Sequence, residues 1–154
     1  MSAGAAAVFI LLLSACGPMP TQTSPSPTTG ESDAATASPT PAGPVLVEDG
    51  SAADNLPLFA AVTAQVWASD QRGSGRAYID ALIAAGFDRA AMQVTQDQST
   101  VGNAAESLQF SVRWGEAECL VGQVGPSTGE PVTMVLPQLA EGRCLVGSTR
   151  AIDW

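Results

Sequence analysis

The chain has 154 residues, with fifteen Asp and Glu against six Arg, no Lys and no His, for a formal net charge of −9. An acidic surface is repelled by phosphate backbones, so nucleic acid is a poor partner, and anionic lipid headgroups offer no attraction either. Without His or Lys there is no Ser-His-Asp or Cys-His apparatus, no imidazole metal ligand and no Schiff base, which leaves carboxylates, Tyr78 and the cysteines as acid–base groups.

The chain opens on an apolar run, Ala5 to Leu13, that closes in Leu13-Ser14-Ala15-Cys16 and is followed by Gly17. The run has the length of a signal-peptide core and is too short for a stable membrane span. A cysteine directly after Leu-Ser-Ala resembles the lipobox of bacterial lipoproteins. The resemblance implies that residues 1 to 15 are removed and that the Cys16 thiol is acylated, with palmitate as the expected lipid. The expected location is therefore the extracytoplasmic face of the cell membrane, held there by the lipid at Cys16. Met1-Ser2-Ala3-Gly4 lacks the usual basic charge of a signal peptide, which points to an initiation site further upstream. An apolar helix with a buried cysteine is the plainer alternative, but no amphipathic pattern follows the run.

Residues 16 to 48 read as a tether. They are dense in Ser, Thr and Pro and hold few large apolar side chains before Val45. Such a segment cannot bury enough surface to offset its ordering entropy. About thirty residues average roughly 30 Å end to end as coil, enough to hold a domain off a membrane.

A single domain is expected over 49 to 154. Asp54, Asn55 and Pro57 are helix-start residues, and Phe59, Val62 and Val66 recur at helical spacing with Trp67 at the edge, predicting a helix over 55 to 68. A second helix is expected to start at Ser74, to bury Ile79, Leu82 and Ile83 beside Tyr78, and to stop at Gly86-Phe87 in a Schellman motif. Gly73-Ser74-Gly75 has the look of a phosphate loop, but no strand precedes it and no Lys follows it. Beyond this the period drops to two. Met92 and Val94 suggest a short strand, Leu108 to Trp114 a strand with one wet face, and further strands run through Cys119 to Val124 and Val132 to Leu136. A bend from Pro137 to Gly142 leads to a last strand from Arg143 to Gly147. The expected fold is α+β, two N-terminal helices packed on a mostly antiparallel sheet of four or five strands.

With Cys16 assigned to lipid, Cys119 and Cys144 remain as a pair, and an exported protein is expected to bridge them. Both sit in a Cys-Leu-Val-Gly segment, Cys119 to Gly122 and Cys144 to Gly147, read as two similar strands in similar places. A redox-active pair is the alternative, but the Cys-x-x-Cys spacing and an activating cation are missing. Glu116 and Glu118 are the candidate carboxylate pair for acid–base hydrolysis, set against simple solvation beside a turn. Asp97, Asn103 and Glu106 offer oxygen ligands without the spacing of a calcium loop. Trp67, Trp114 and Trp154 are candidates for a ligand platform, and Trp67 and Trp154 are the preferred binding surface. No metal and no cofactor is expected.

Ala84-Ala85-Gly86-Phe87, Met92-Gln93-Val94-Thr95, Gln109-Phe110-Ser111-Val112, the two Cys-Leu-Val-Gly segments and the ending Ile152-Asp153-Trp154 resemble a small actinobacterial cell-envelope lipoprotein family of unknown function. The likeness spans about Arg76 to Trp154 and brings no activity or catalytic residue with it. The expected function is a non-catalytic binding or interaction module whose partner is an envelope protein or cell-wall component. The alternative is a small His-free hydrolase that works with carboxylates.

Overall fold

The computed structural model describes residues 43–154. The expected signal peptide, the expected lipidation site Cys16 and nearly all of the expected tether lie outside the described residues. The fold is α+β. Two helices, α1 (Ala52–Trp67) and α2 (Gly75–Ala84), precede five strands: β1 (Met92–Thr95), β2 (Leu108–Trp114), β3 (Glu118–Val124), β4 (Val132–Pro137) and β5 (Thr149–Arg150). The strands form one antiparallel sheet in the order β4-β3-β2-β1-β5.

α1 begins earlier than Asp54 and Asn55 suggest, because Ser51 caps it. The Ser51 hydroxyl accepts the Asp54 N–H at 3.2 Å, and the Asp54 carboxylate accepts the Ser51 N–H at 2.8 Å, a reciprocal capping box. The Ser51 hydroxyl also donates to the Asp54 carboxylate, at 2.7 Å, and this bond together with the Ser51 N–H holds the Asp54 carboxyl below its ordinary range. Pro57 then falls inside the helix, where the carbonyl it leaves without a donor belongs to exposed Ala53 and can turn to water. Asn55 is fully buried, and its amide accepts from Val47 N–H at 2.8 Å and donates to the Val47 and Ser51 carbonyls. The packing therefore reaches further back than Asp49, and Leu46 lies against the core.

α2 ends as its sequence predicts: Gly86 stands at φ 101°, and the Phe87 N–H reaches the Leu82 carbonyl at 3.1 Å. Ile79 and Leu82 are buried, whereas Ile83 sits at the exposed rim of that face.

The core lies between the helices and one face of the sheet. Tyr78 of α2 stacks on Phe110 of β2 with ring centroids 4.4 Å apart, and Phe59 of α1 lies 5.7 Å from the same ring. Phe87 meets Phe59 and Trp114 edge-on, which carries the aromatic contact across the interface. Gly122 in β3 sits under Phe110, where any Cβ would run into the ring. The residue is small because the neighbour is large.

The far face of the sheet carries a second, smaller cluster of Cys119, Val121, Cys144 and Leu145. Cys119 and Cys144 are joined by a disulfide. Here the structure corrects the expected strand over 143 to 147. The first Cys-Leu-Val-Gly segment is the middle of β3, while the second is irregular chain laid across the sheet. A tight turn at Ala140–Gly142, with Glu141 at φ 62° and Gly142 at φ 69°, throws the chain onto the far face. The Cys144 and Leu145 N–H groups then find the Gln93 side-chain oxygen, at 2.7 and 3.2 Å, in place of a neighbouring strand. Val146 points out, 83 % exposed. The true last strand is Thr149–Arg150, paired with β1.

Candidate functional site

The sequence candidates separate into fasteners and surface. Trp114 is a fastener: its indole N–H donates to the Gly50 carbonyl at 2.7 Å, tying the entry to α1 onto the end of β2. Trp154 is another. Its indole donates to Asp80 at 2.8 Å, and the Arg76 and Arg150 guanidinium groups lie over its ring at 5.5 and 5.0 Å. Trp154 secures the chain end to α2 and does not share a cavity with Trp67.

Trp67 closes α1 and forms one wall of a cavity of about 460 Å³ at the end of the sheet. The loop after α1 brings Arg72 to its mouth, Leu108 and Val124 come from the ends of β2 and β3, and Pro126 comes from the turn beyond β3. The lining is largely apolar, and Arg72 and Asp97 are its charged members. The volume lies within the range of small-ligand sites. The Arg72 guanidinium lies over the Trp67 ring at 5.9 Å. Its backbone is fixed from beneath, since the Tyr78 hydroxyl donates to the Arg72 carbonyl at 2.9 Å. Burial pushes the Tyr78 phenol up to about 12, with the Arg72 charge acting weakly the other way.

Asp97 does structural work that its spacing did not suggest. One carboxylate oxygen accepts the Gly75 N–H at 2.8 Å, and Arg150 donates to both oxygens at 3.2 and 3.0 Å. The carboxylate thus occupies the N-terminus of α2, where a phosphate bound by Gly73-Ser74-Gly75 would have to sit. Ser74 holds the capping position but its side chain makes no cap bond, and it is Asp97, from outside the helix, that satisfies the first helical N–H. No local sequence signal predicts this contact, as Asp97 lies 22 residues beyond Gly75.

Neither of the other two oxygen-ligand candidates bonds to the Asp97 carboxylate. Asn103 uses its backbone to pair with Ser99, and Glu106 is exposed. Among the described residues no group of three His, Cys, Asp or Glu could hold a metal ion. Glu116 is exposed in the turn between β2 and β3, and Glu118 opens β3 opposite Trp114.

A second surface lies on the far face. Val132, Met134 and Leu136 of the edge strand β4 are 39, 40 and 38 % exposed and flank a shallow groove of about 130 Å³ beside Leu145 and Val146. This strip carries no charge. Among the described residues no helix is long and apolar enough to cross a membrane.

No curated protein and no solved structure matches the chain. The family model described as a domain of unknown function, DUF6993, matches residues 63–148. That span holds the cavity residues Trp67 and Arg72 and both bridged cysteines, and it stops short of Arg150 and Trp154. More than half of the chain is matched, and the protein belongs to the DUF6993 family.

Proposed function

We propose that this protein is an extracytoplasmic lipoprotein of the actinobacterial cell envelope, anchored by lipid at Cys16, whose folded part is a non-catalytic binding module for an envelope or cell-wall component. The observation that carries the binding reading is the largely apolar cavity walled by Trp67, with Arg72 at its mouth. An apolar opening with one or two polar groups suits recognition. The nearest carboxylate, Asp97, is already committed to Arg150 and Gly75, which leaves it poorly placed as a general acid or base. The Leu13-Ser14-Ala15-Cys16 segment supports the anchor, and the Cys119–Cys144 disulfide suits an oxidising compartment.

Two experiments test this reading. A Cys16→Ser protein expressed in an actinobacterial host is expected to leave the membrane fraction and appear in the medium; unchanged membrane retention would defeat the anchor. For the binding module, the soluble Cys16→Ser chain is followed by the indole N–H resonance of Trp67 while purified cell-wall fragments and envelope extracts are added. A saturable shift at Trp67 is expected, with the indole resonances of Trp114 and Trp154 unmoved. Hydrolysis of the added material by the chain, lost when Glu116 or Glu118 is changed to Gln, would overturn the non-catalytic reading.

A further inference from the structure

The charges around the Trp67 cavity are uneven, and the unevenness selects among ligands. Asp97 is neutralised by Arg150 and by the Gly75 N–H. Arg72 enters no ion pair among the described residues, and its guanidinium makes no hydrogen bond there. It is nevertheless held in place, by the Trp67 ring on one side and by Tyr78 through its own carbonyl. In a chain of formal net charge −9 this is a lone positive group at the mouth of an apolar cavity.

Resting on the reading of the domain as a binding module, we propose that the cavity takes a small amphipathic organic monoanion, an apolar body bearing one carboxylate or sulfonate. The body lies among Trp67, Leu108 and Val124, where it leaves water. The anion meets Arg72, whose planar fork matches two oxygens of such a group. A phosphate dianion is a poorer fit, because the one helix N-terminus nearby is already filled by the Asp97 carboxylate. A cation is opposed by Arg72, and a neutral ligand leaves the guanidinium unused.

The test compares two fluorescent probes with the same fused and pendant rings, anilinonaphthalene sulfonate and phenylnaphthylamine, which lacks the sulfonate. Both are titrated into the chain from residue 16 onward carrying Cys16→Ser. The sulfonate probe is expected to bind one site per chain about tenfold more tightly than the neutral one, as a charge-assisted contact predicts. Arg72→Gln should bring the two affinities together by weakening only the sulfonate. Trp67→Ala should weaken both, and Met134→Gln on the distant β4 strip should weaken neither. Arg72 is exposed, so its loss leaves the core intact, and an unchanged circular-dichroism melt verifies this. Equal affinities in the unsubstituted chain, or a sulfonate affinity indifferent to Arg72→Gln, would overturn the anion selectivity while Trp67 dependence preserves the cavity. Probe binding that ignores Trp67→Ala but falls with Met134→Gln would overturn the cavity as the site.

Discussion

Tyr78 concentrates several roles in one side chain. Its ring is buried and stacked on Phe110, and its hydroxyl holds the loop that presents Arg72. It is also the chain's single tyrosine, and no Lys is present to titrate beside it. Burial raises its folded-state value from 10.0 to about 12. The protonated phenol is thus favoured by folding, so the stability it contributes is complete below pH 10 and is lost as pH rises through about 12. Thermal melts should fall in midpoint across that window in step with phenolate absorbance, and Tyr78→Phe should remove most of the slope. A slope that survives the substitution would assign the alkaline sensitivity elsewhere.

At the level of elements, what the sequence disclosed and what it hid follow from the range of the interactions involved. α2 could be read almost to its last residue, because its stop is a local device: Gly86 and Phe87 bond back to the same helix. β2 was plain in its extent and in its core face of Leu108, Phe110 and Val112, but the face expected to be wet is not so throughout, since Ser111 between Gln109 and Arg113 is fully buried. The segment from Cys144 to Gly147 misled because it repeats the composition of β3. What decides its conformation lies elsewhere, in the left-handed turn at Glu141–Gly142 and in Gln93, 51 residues before Cys144. Trp67 could be nominated from composition, whereas its partner cavity depends on strand ends that only the fold brings near. The far-face segment is secured twice, by the disulfide and by Gln93. Reduction should cost about 3 kcal/mol in the chain-entropy picture. Gln93→Ala should cost roughly 1 kcal/mol in the oxidised protein, because two amide N–H groups lose one acceptor. Urea unfolding of the two forms measures both, and a Gln93→Ala protein as stable as its parent would mean that water replaces the side chain without penalty.

For the whole molecule, the folded unit draws on residues ahead of its first helix. Leu46 covers part of the core and Val47 exchanges two hydrogen bonds with buried Asn55. A chain beginning at Gly43 should therefore be more stable than one beginning at Asp49 by about 2 kcal/mol, the combined worth of one half-buried leucine and the satisfied amide. Equal unfolding midpoints would place the boundary after Val47. The disulfide has a different consequence at this scale. It spans 25 residues and encloses the turn after β3, all of β4 and the bend that follows. One backbone cut anywhere in that interval would leave two pieces still covalently joined, with β4 held beside its partner by its ladder of bonds. A protease meeting the exposed turn between β3 and β4 would thus nick the protein without dismantling it, and the wound would become visible as two fragments only after reduction.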